Sequence, residues 1–305
     1  MHRFRWVYCQ LETLRRCFPT VIRCALDELP GTLDETYERT LLGIEKEKRE
    51  LAHRIFQCLT VAVRPLQVNE LAEVLAIRLD PGQLPRYNVD WRSEDAQEAV
   101  LSACSSLVAV INVDGSPVVQ FSHFSVKEFL TSDRLANSSE SLSRYHVRPQ
   151  TAHTILAQAS LSILLHFGDR VDKSNFERFP FARYAAQHWV DHGRFENVSS
   201  SLEVEMEQLF DLDEPSFSTW IWIYDIDHPF KQHMFEAQPT QPEAVPLYYA
   251  ALCGFRDLIK RLIATHPDDV NAIGGYHGTS VNAALMKGNA EIALLLLEHG
   301  CGCEF

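Results

Sequence analysis

The strongest constraint on this chain is a repeat near its C-terminus. Pro246-Leu-Tyr-Tyr-Ala-Ala-Leu-Cys-Gly254 recurs 34 residues later as Ser280-Val-Asn-Ala-Ala-Leu-Met-Lys-Gly288. Asp257, Leu258 and Leu262 recur as Glu291, Ile292 and Leu296. A fixed period of this size means one supersecondary unit used twice, each copy burying an apolar face against its neighbour. Ala250, Ala251, Ala283 and Ala284 let helices approach closely. Gly254 and Gly288 supply the left-handed residue that ends a helix.

This unit resembles the ankyrin repeat, which implies two antiparallel helices and a β-hairpin finger per copy. The finger falls on Asp269-Val-Asn-Ala-Ile-Gly-Gly-Tyr-His-Gly-Thr279. The second copy departs from the family pattern, with Ser280 and Asn282 where Pro and His are usual. About three repeats are normally needed for stability, and residues 298–305 only begin a third. Either residues 141–240 cover one side of the stack, or the chain is a piece of a longer array. Partners of ankyrin repeats meet the finger tips and the exposed side of the first helix. The resemblance therefore implies a partner-binding set of Gly275, Tyr276 and Gly278 on the finger, Met286 and Lys287 on the second copy, and Leu252 and Cys253 on the first.

Residues 51–136 carry a different pattern. Asn69 is placed to cap a helix running to about Arg78, with Leu71, Val74 and Leu75 on one face. A loop over 80–90 and a second helix over 93–104 follow. Two β-branched runs, 107–113 and 117–121, flank Asp114-Gly115, a two-residue hairpin signal. Ser125-Val-Lys-Glu128 reads as a capping box opening another helix. Helix, helix, hairpin, helix is the outline of a winged helix.

Winged helices often bind DNA, but the charge argues against it here. The second helix holds Glu94, Asp95 and Glu98 with no Lys or Arg over 93–105, and Asp114 sits at the hairpin tip. The whole chain has 28 basic and 41 acidic side chains, net −13. Phosphate backbones require clustered cations, so neither nucleic acid nor an anionic membrane is an expected partner. No stretch reaches the roughly 18 apolar residues of a membrane span, and no signal-peptide core follows Met1. The 8 cysteines form no C-x-x-C pair and read as reduced thiols, packed as small hydrophobes at Cys58, Cys104 and Cys253. The expected location is cytoplasmic.

The remaining segments read as helices. Residues 6–16 are amphipathic, and Thr32-Leu-Asp-Glu35 is a capping box for a helix with Leu33, Tyr37, Leu41 and Ile44 inward. Residues 150–167 and 181–192 carry Ile155, Ala159, Ile163, Tyr184, Ala185 and Trp189 on buried faces, and Ser200-Ser-Leu-Glu203 caps a third helix. The aromatic, Pro-containing stretch 220–245 reads as a packed linker. The expected fold is mainly α: a helical segment over 1–50, a winged helix over 51–136, a helical linker domain over 141–240 and a short ankyrin solenoid over 244–305.

Taken in order, Phe4-Arg-Trp-Val-Tyr-Cys-Gln-Leu, Leu29-Pro-Gly-Thr-Leu-Asp-Glu-Thr-Tyr37, Arg64-Pro-Leu, Glu70-Leu, Phe121-Ser-His-Phe-Ser-Val-Lys-Glu-Phe-Leu130, Tyr184-Ala-Ala and Trp189 make a wider resemblance. The chain is similar to the C-terminal portion of fungal NACHT–ankyrin proteins, signal-transducing NTPases akin to animal NOD-like receptors. Its winged helix resembles the one named after GPI inositol-deacylase, a name that implies no lipase. In related receptors a histidine near a Phe-x-His motif contacts the ADP phosphate, and the matching position is His123. Its imidazole can donate to phosphate; equally, it can cap the next helix or pack in the core. The NTPase itself is missing: no Gly is followed by Lys, so there is no phosphate loop. Met1 is then an internal methionine of a longer parent, or the front half has been lost from a degenerate relative.

Other chemistry is weakly signalled. His188-Trp-Val-Asp-His192 has the histidine spacing of a helical zinc pair, but Trp189 stands where a metalloprotease needs Glu. Cys301, Cys303 and His299 are a thin donor set for a soft metal. Ser122, His123 and Ser125 are neighbours in sequence, yet strand alternation points adjacent residues apart. Asp211, Asp213 and Glu214 read as a solvated helix end. The expectation is therefore a non-enzymatic, cofactor-free protein-interaction module. The competing readings are a piece of a nucleotide-switched NTPase and, least favoured, a hydrolase.

Overall fold

The computed structural model describes residues 7, 11, 29–80, 83–167, 172, 176–229, 239 and 241–300. The helix expected over 6–16 lies outside these apart from Val7 and Leu11, as do Cys301 and Cys303. The chain forms two compact units, Met1–Leu75 with Ser93–Ala152, and Ala76–Arg92 with His153–Phe305.

The first unit opens with α1 (Leu33–Leu42), whose N-cap Thr32 accepts the Glu35 N–H at 3.2 Å. The Glu35 carboxylate accepts from Gly31 N–H at 2.8 Å. Tyr37, Leu41 and Ile44 are buried as the spacing predicts. Helix α2 (Arg49–Val61) buries Ala52, Ile55, Phe56 and Cys58. Strand β1 (Leu66–Gln67) leads directly into α3 (Val68–Leu75). The helix thus begins one residue before the expected Asn69 cap, and Glu70 explains why. Its buried carboxylate accepts Gln67 N–H at 2.8 Å and is clamped by the two terminal guanidinium nitrogens of Arg64, so one N–H at the start of the helix is already satisfied. The helix also stops short of Arg78, because Ile77–Arg78 (β2) pairs antiparallel with Arg86–Tyr87 (β3), both in the second unit.

Helix α4 (Ala96–Cys104) starts three residues later than expected, with Asp95 Oδ1 accepting Glu98 N–H at 2.8 Å. Strands β4 (Val108–Val113) and β5 (Ser116–Phe121) meet at Asp114 and Gly115, whose φ values of 49° and 84° fit the mirror-image turn that matches strand twist. The sheet order is β1-β5-β4, with Leu66 and Val110 both opposite Val119. Leu66, Leu71, Val74, Val100 and Val119 form its buried seam, each stabilising by about 1.5–3 kcal/mol. Helices α5 (Phe124–Leu130), α6 (Asp133–Ala136) and α7 (Glu140–Ser143) complete the unit. Helix α5 opens one residue before the expected Ser125 cap: His123 caps it, and Ser125 lies inside, buried.

The second unit takes α8 (Pro149–Phe167) from His153 onward, then α9 (Ala182–Gly193), α10 (Glu203–Leu209) and α11 (Ser216–Ile223). Helix α10 lacks the expected Ser200 cap; a 3-10 turn over Ser199–Ser201 precedes it, and Ser200 Oγ donates to Asn197 O. Helix α11 occupies the start of the stretch expected to be linker. Phe217, Trp220, Ile221, Trp222 and Ile223 are all buried, and a helix apolar all round has no amphipathic period to reveal it.

Two helix pairs follow, α12 (Pro246–Cys253) with α13 (Arg256–Thr265), and α14 (Ser280–Met286) with α15 (Ala290–Glu298). The 34-residue sequence period is thus also a structural period. Gly254 ends α12 at φ 83°. A Cβ there would lie 3.1 Å from the Asn289 side chain, whose amide donates to the Ala251 and Leu252 carbonyls at 2.9 and 3.3 Å. Asn289 thereby stitches the second pair onto the first. On the opposite side an aromatic core backs the first pair. Trp189 stacks on Phe255 with centroids 5.3 Å apart, Phe217 meets Tyr249 edge-on at 5.5 Å, and Trp220 Nε1 donates to Ala186 O at 3.1 Å. Among the described residues no helix is long and apolar enough to cross a membrane.

Candidate protein-interaction surface

The finger between the helix pairs is held from beneath by one carboxylate. Asp227 follows α11 and its side chain is fully buried. It accepts the Tyr248 hydroxyl at 2.8 Å and the Tyr276 backbone N–H at 2.6 Å. The Tyr248 oxygen in turn accepts His277 N–H at 3.0 Å. Burial, opposed by that N–H and reinforced by Asp227, pushes the Tyr248 phenol upward, so it stays a neutral donor. Gly275 turns at φ 70°, where a Cβ would sit 2.5 Å from the Tyr248 ring; only glycine fits. Gly278 turns at φ 80° in open space. The result is a fixed finger that leaves Tyr276 71% exposed. Ile273, which the sequence did not single out, is equally bare.

The helices divide the other expected partner residues. Met286 is 68% exposed and Lys287 is also at the surface. Leu252 and Cys253, expected on the open side of the first copy, are buried. The physical reason is the repeat itself: α14 packs against α12 and covers that side. Shifted by the 34-residue period, Ala251, Leu252 and Ile263 become Leu285, Met286 and Leu297. The first three are buried, whereas Leu285 is 51% and Leu297 41% exposed. Leu294 is exposed as well. The second pair therefore shows to solvent what the first pair buries. The 34-residue offset in the sequence aligns Leu285 and Leu297 with Ala251 and Ile263 and so marks them as positions to compare. Nothing local marked Asp227, which lies 49 residues from its backbone partner at Tyr276.

His123 sits between β5 and α5. Its Nδ1 accepts the Ser125 N–H at 3.2 Å and lies 2.6 Å from Ser125 Oγ, which is 2.9 Å from the Tyr37 hydroxyl. With Nδ1 accepting, Ser125 donates to it and the remaining ring proton is on Nε2. The strand argument that separates serine from histidine does not apply, because β5 ends at Phe121 and residue 123 is a cap. Ser125 is buried, its hydroxyl held between Tyr37 and His123. His188 bonds Asp191 at 2.9 Å, while buried His192 lies 2.9 Å from both His153 Nδ1 and Tyr184 Oη. These rings are thus turned to different partners, not to one shared ion. His299 Nδ1 lies 2.8 Å from Leu295 O. Burial pushes the Cys58 thiol up to about 12 and also raises Cys104 and Cys253, so all three pack as inert hydrophobes.

Residues 37–141 match the family described as GPI inositol-deacylase, winged helix domain. The span contains the strand and helices arranged around the β4–β5 hairpin. Across most of its length the chain is also similar to the azaphilone pigments biosynthesis cluster protein L of Monascus ruber. The two are 30% identical over 292 residues, covering 90% of this chain and 60% of that protein. The chain therefore spans about 60% of the length of that relative. No solved structure matches it. The first unit is accordingly built on a region similar to the winged-helix domain of GPI inositol-deacylase.

Proposed function

We propose that this chain is a non-enzymatic protein-interaction module, the regulatory and sensor portion of a cytoplasmic NACHT–ankyrin signalling protein. In this reading residues 51–136 are a winged helix serving protein contacts, residues 141–240 a helical linker domain, and residues 244–305 ankyrin repeats. The observation that carries it is a set of apolar side chains on the second helix pair, Leu285, Met286 and Leu297, that are exposed among the described residues although their first-copy equivalents are buried. Exposed apolar side chains of this kind mark docking surfaces when they cluster. The net charge of −13 and the lack of Lys or Arg over residues 93–105 favour protein over nucleic acid as partner. The ankyrin reading is supported by two helix pairs in 34-residue register, left-handed glycines at 254 and 288, and a finger between them.

The test is cross-linking mass spectrometry on the tagged protein in its native cells, comparing wild type with Leu285→Glu/Met286→Glu. The reading expects cross-links from Lys287 to another protein, lost in the variant while the melting temperature is unchanged. Identical cross-links in both proteins, or one-to-one nucleotide uptake or substrate turnover by the purified chain, overturn it.

A further inference from the structure

A second surface lies away from the finger, where α10 crosses α13. A groove of about 690 Å³ runs there, floored by Phe210, Leu212, Leu258 and Leu262 and edged by Asp211 and Asp213. Leu212 is half exposed between them. The one guanidinium in the groove wall, Arg261, is already clasped by Glu203 and Glu207 of α10. Glu207 is spent on that guanidinium, which leaves Asp211 and Asp213 as the carboxylates on the rim, with His266 also in the lining. An apolar floor with an acidic rim is complementary to a segment that is apolar on one face and cationic beside it.

We propose that this groove docks a basic amphipathic helix of a partner protein. Leucine- or phenylalanine-sized anchors seat on Leu258 and Leu262, and lysines or arginines at the helix flank meet Asp211 and Asp213. The Arg261 clasp ties α10 to α13 and fixes the groove's width. The inference rests on the reading of the chain as an interaction module. It does not rest on the exposed side chains of the second helix pair, so either surface can fail alone.

The probe is a fluorescein-labelled Leu/Lys amphipathic peptide of about 18 residues, five helical turns, titrated into the full chain by anisotropy. The expected result is saturable one-to-one binding. Asp211→Lys/Asp213→Lys, and separately Leu212→Asp, should each weaken it about tenfold or more. These positions are solvent-exposed, so both variants should keep the wild-type melting temperature. A Leu/Glu peptide of the same pattern should bind at least about tenfold more weakly, and Leu285→Glu/Met286→Glu should leave binding unchanged. Non-saturable binding, binding that survives both groove variants, or equal binding of the Leu/Glu peptide overturns the proposal. Loss of binding only in Leu285→Glu/Met286→Glu also overturns it, while leaving the first surface standing.

Discussion

The two helix pairs share a sequence pattern but not an environment. The first lies between an aromatic core from α9 and α11 on one side and the second pair on the other. In the second, Leu285, Met286 and Leu297 are exposed among the described residues, while Asn289 reaches the α12 carbonyls and accepts from Arg194. The contrast shows that a repeated sequence specifies a shape, while position in the stack decides what each residue does. Leu252 and Met286 occupy one repeat position; the first is core and the second is surface.

The sharpest way to break this comparison is truncation at matched positions. Leu252→Ala should cost about 2–5 kcal/mol in urea unfolding, as for other buried leucines. Asp227→Ala should cost about 1–3 kcal/mol by leaving the buried Tyr248 hydroxyl and Tyr276 N–H unpaired. Its distinguishing sign is faster amide exchange in the finger than in α12.

The support behind the first pair should depend on pH. Buried His192 is held down to about 3 by burial first and by His153 second, and burial lowers His153 as well. In the unfolded chain both titrate near 6.5. Between those values the unfolded state binds more protons, so stability is complete above pH 6.5 and falls as pH drops through that window. The slope per histidine is at most about 1.4 kcal/mol per pH unit. Unfolding at pH 7.5, 6 and 5 measures it, and His192→Gln should flatten it. Asn289→Ala should cost about 1–2 kcal/mol by leaving the α12 carbonyls without their donor. The smallest effect belongs to the exposed twin: Met286→Ala should stay within about 0.5 kcal/mol of wild type. A cost approaching that of Leu252→Ala would erase the distinction.

Much of this was legible in the residues because periodicity reports local structure. The 34-residue offset, Pro246, Gly254 and Gly288 gave the helix pairs, and Asp114-Gly115 gave the hairpin. What escaped was set by tertiary partners. Helix α11 is buried all round and shows no polar face. The caps of α3 and α5 come from Glu70 and His123 in place of the expected Asn69 and Ser125: the Glu70 carboxylate, clamped by Arg64, accepts the Gln67 N–H, and the Ser125 hydroxyl is taken up by Tyr37 and His123. Of the expected contact residues, Tyr276, Met286 and Lys287 emerge at the surface. Leu252 does not, since reading each copy alone omits the copy stacked on it.

The account is tested most directly by hydroxyl-radical footprinting of the purified chain, comparing residues one repeat apart. Leu285, Met286 and Leu297 should oxidise at rates near those of the unfolded chain, while Leu252 and Ile263 should be protected by at least about tenfold. Equal protection at both sets of positions would mean that the outer side of the second pair is already covered, and the surface on which the proposed function rests would not exist.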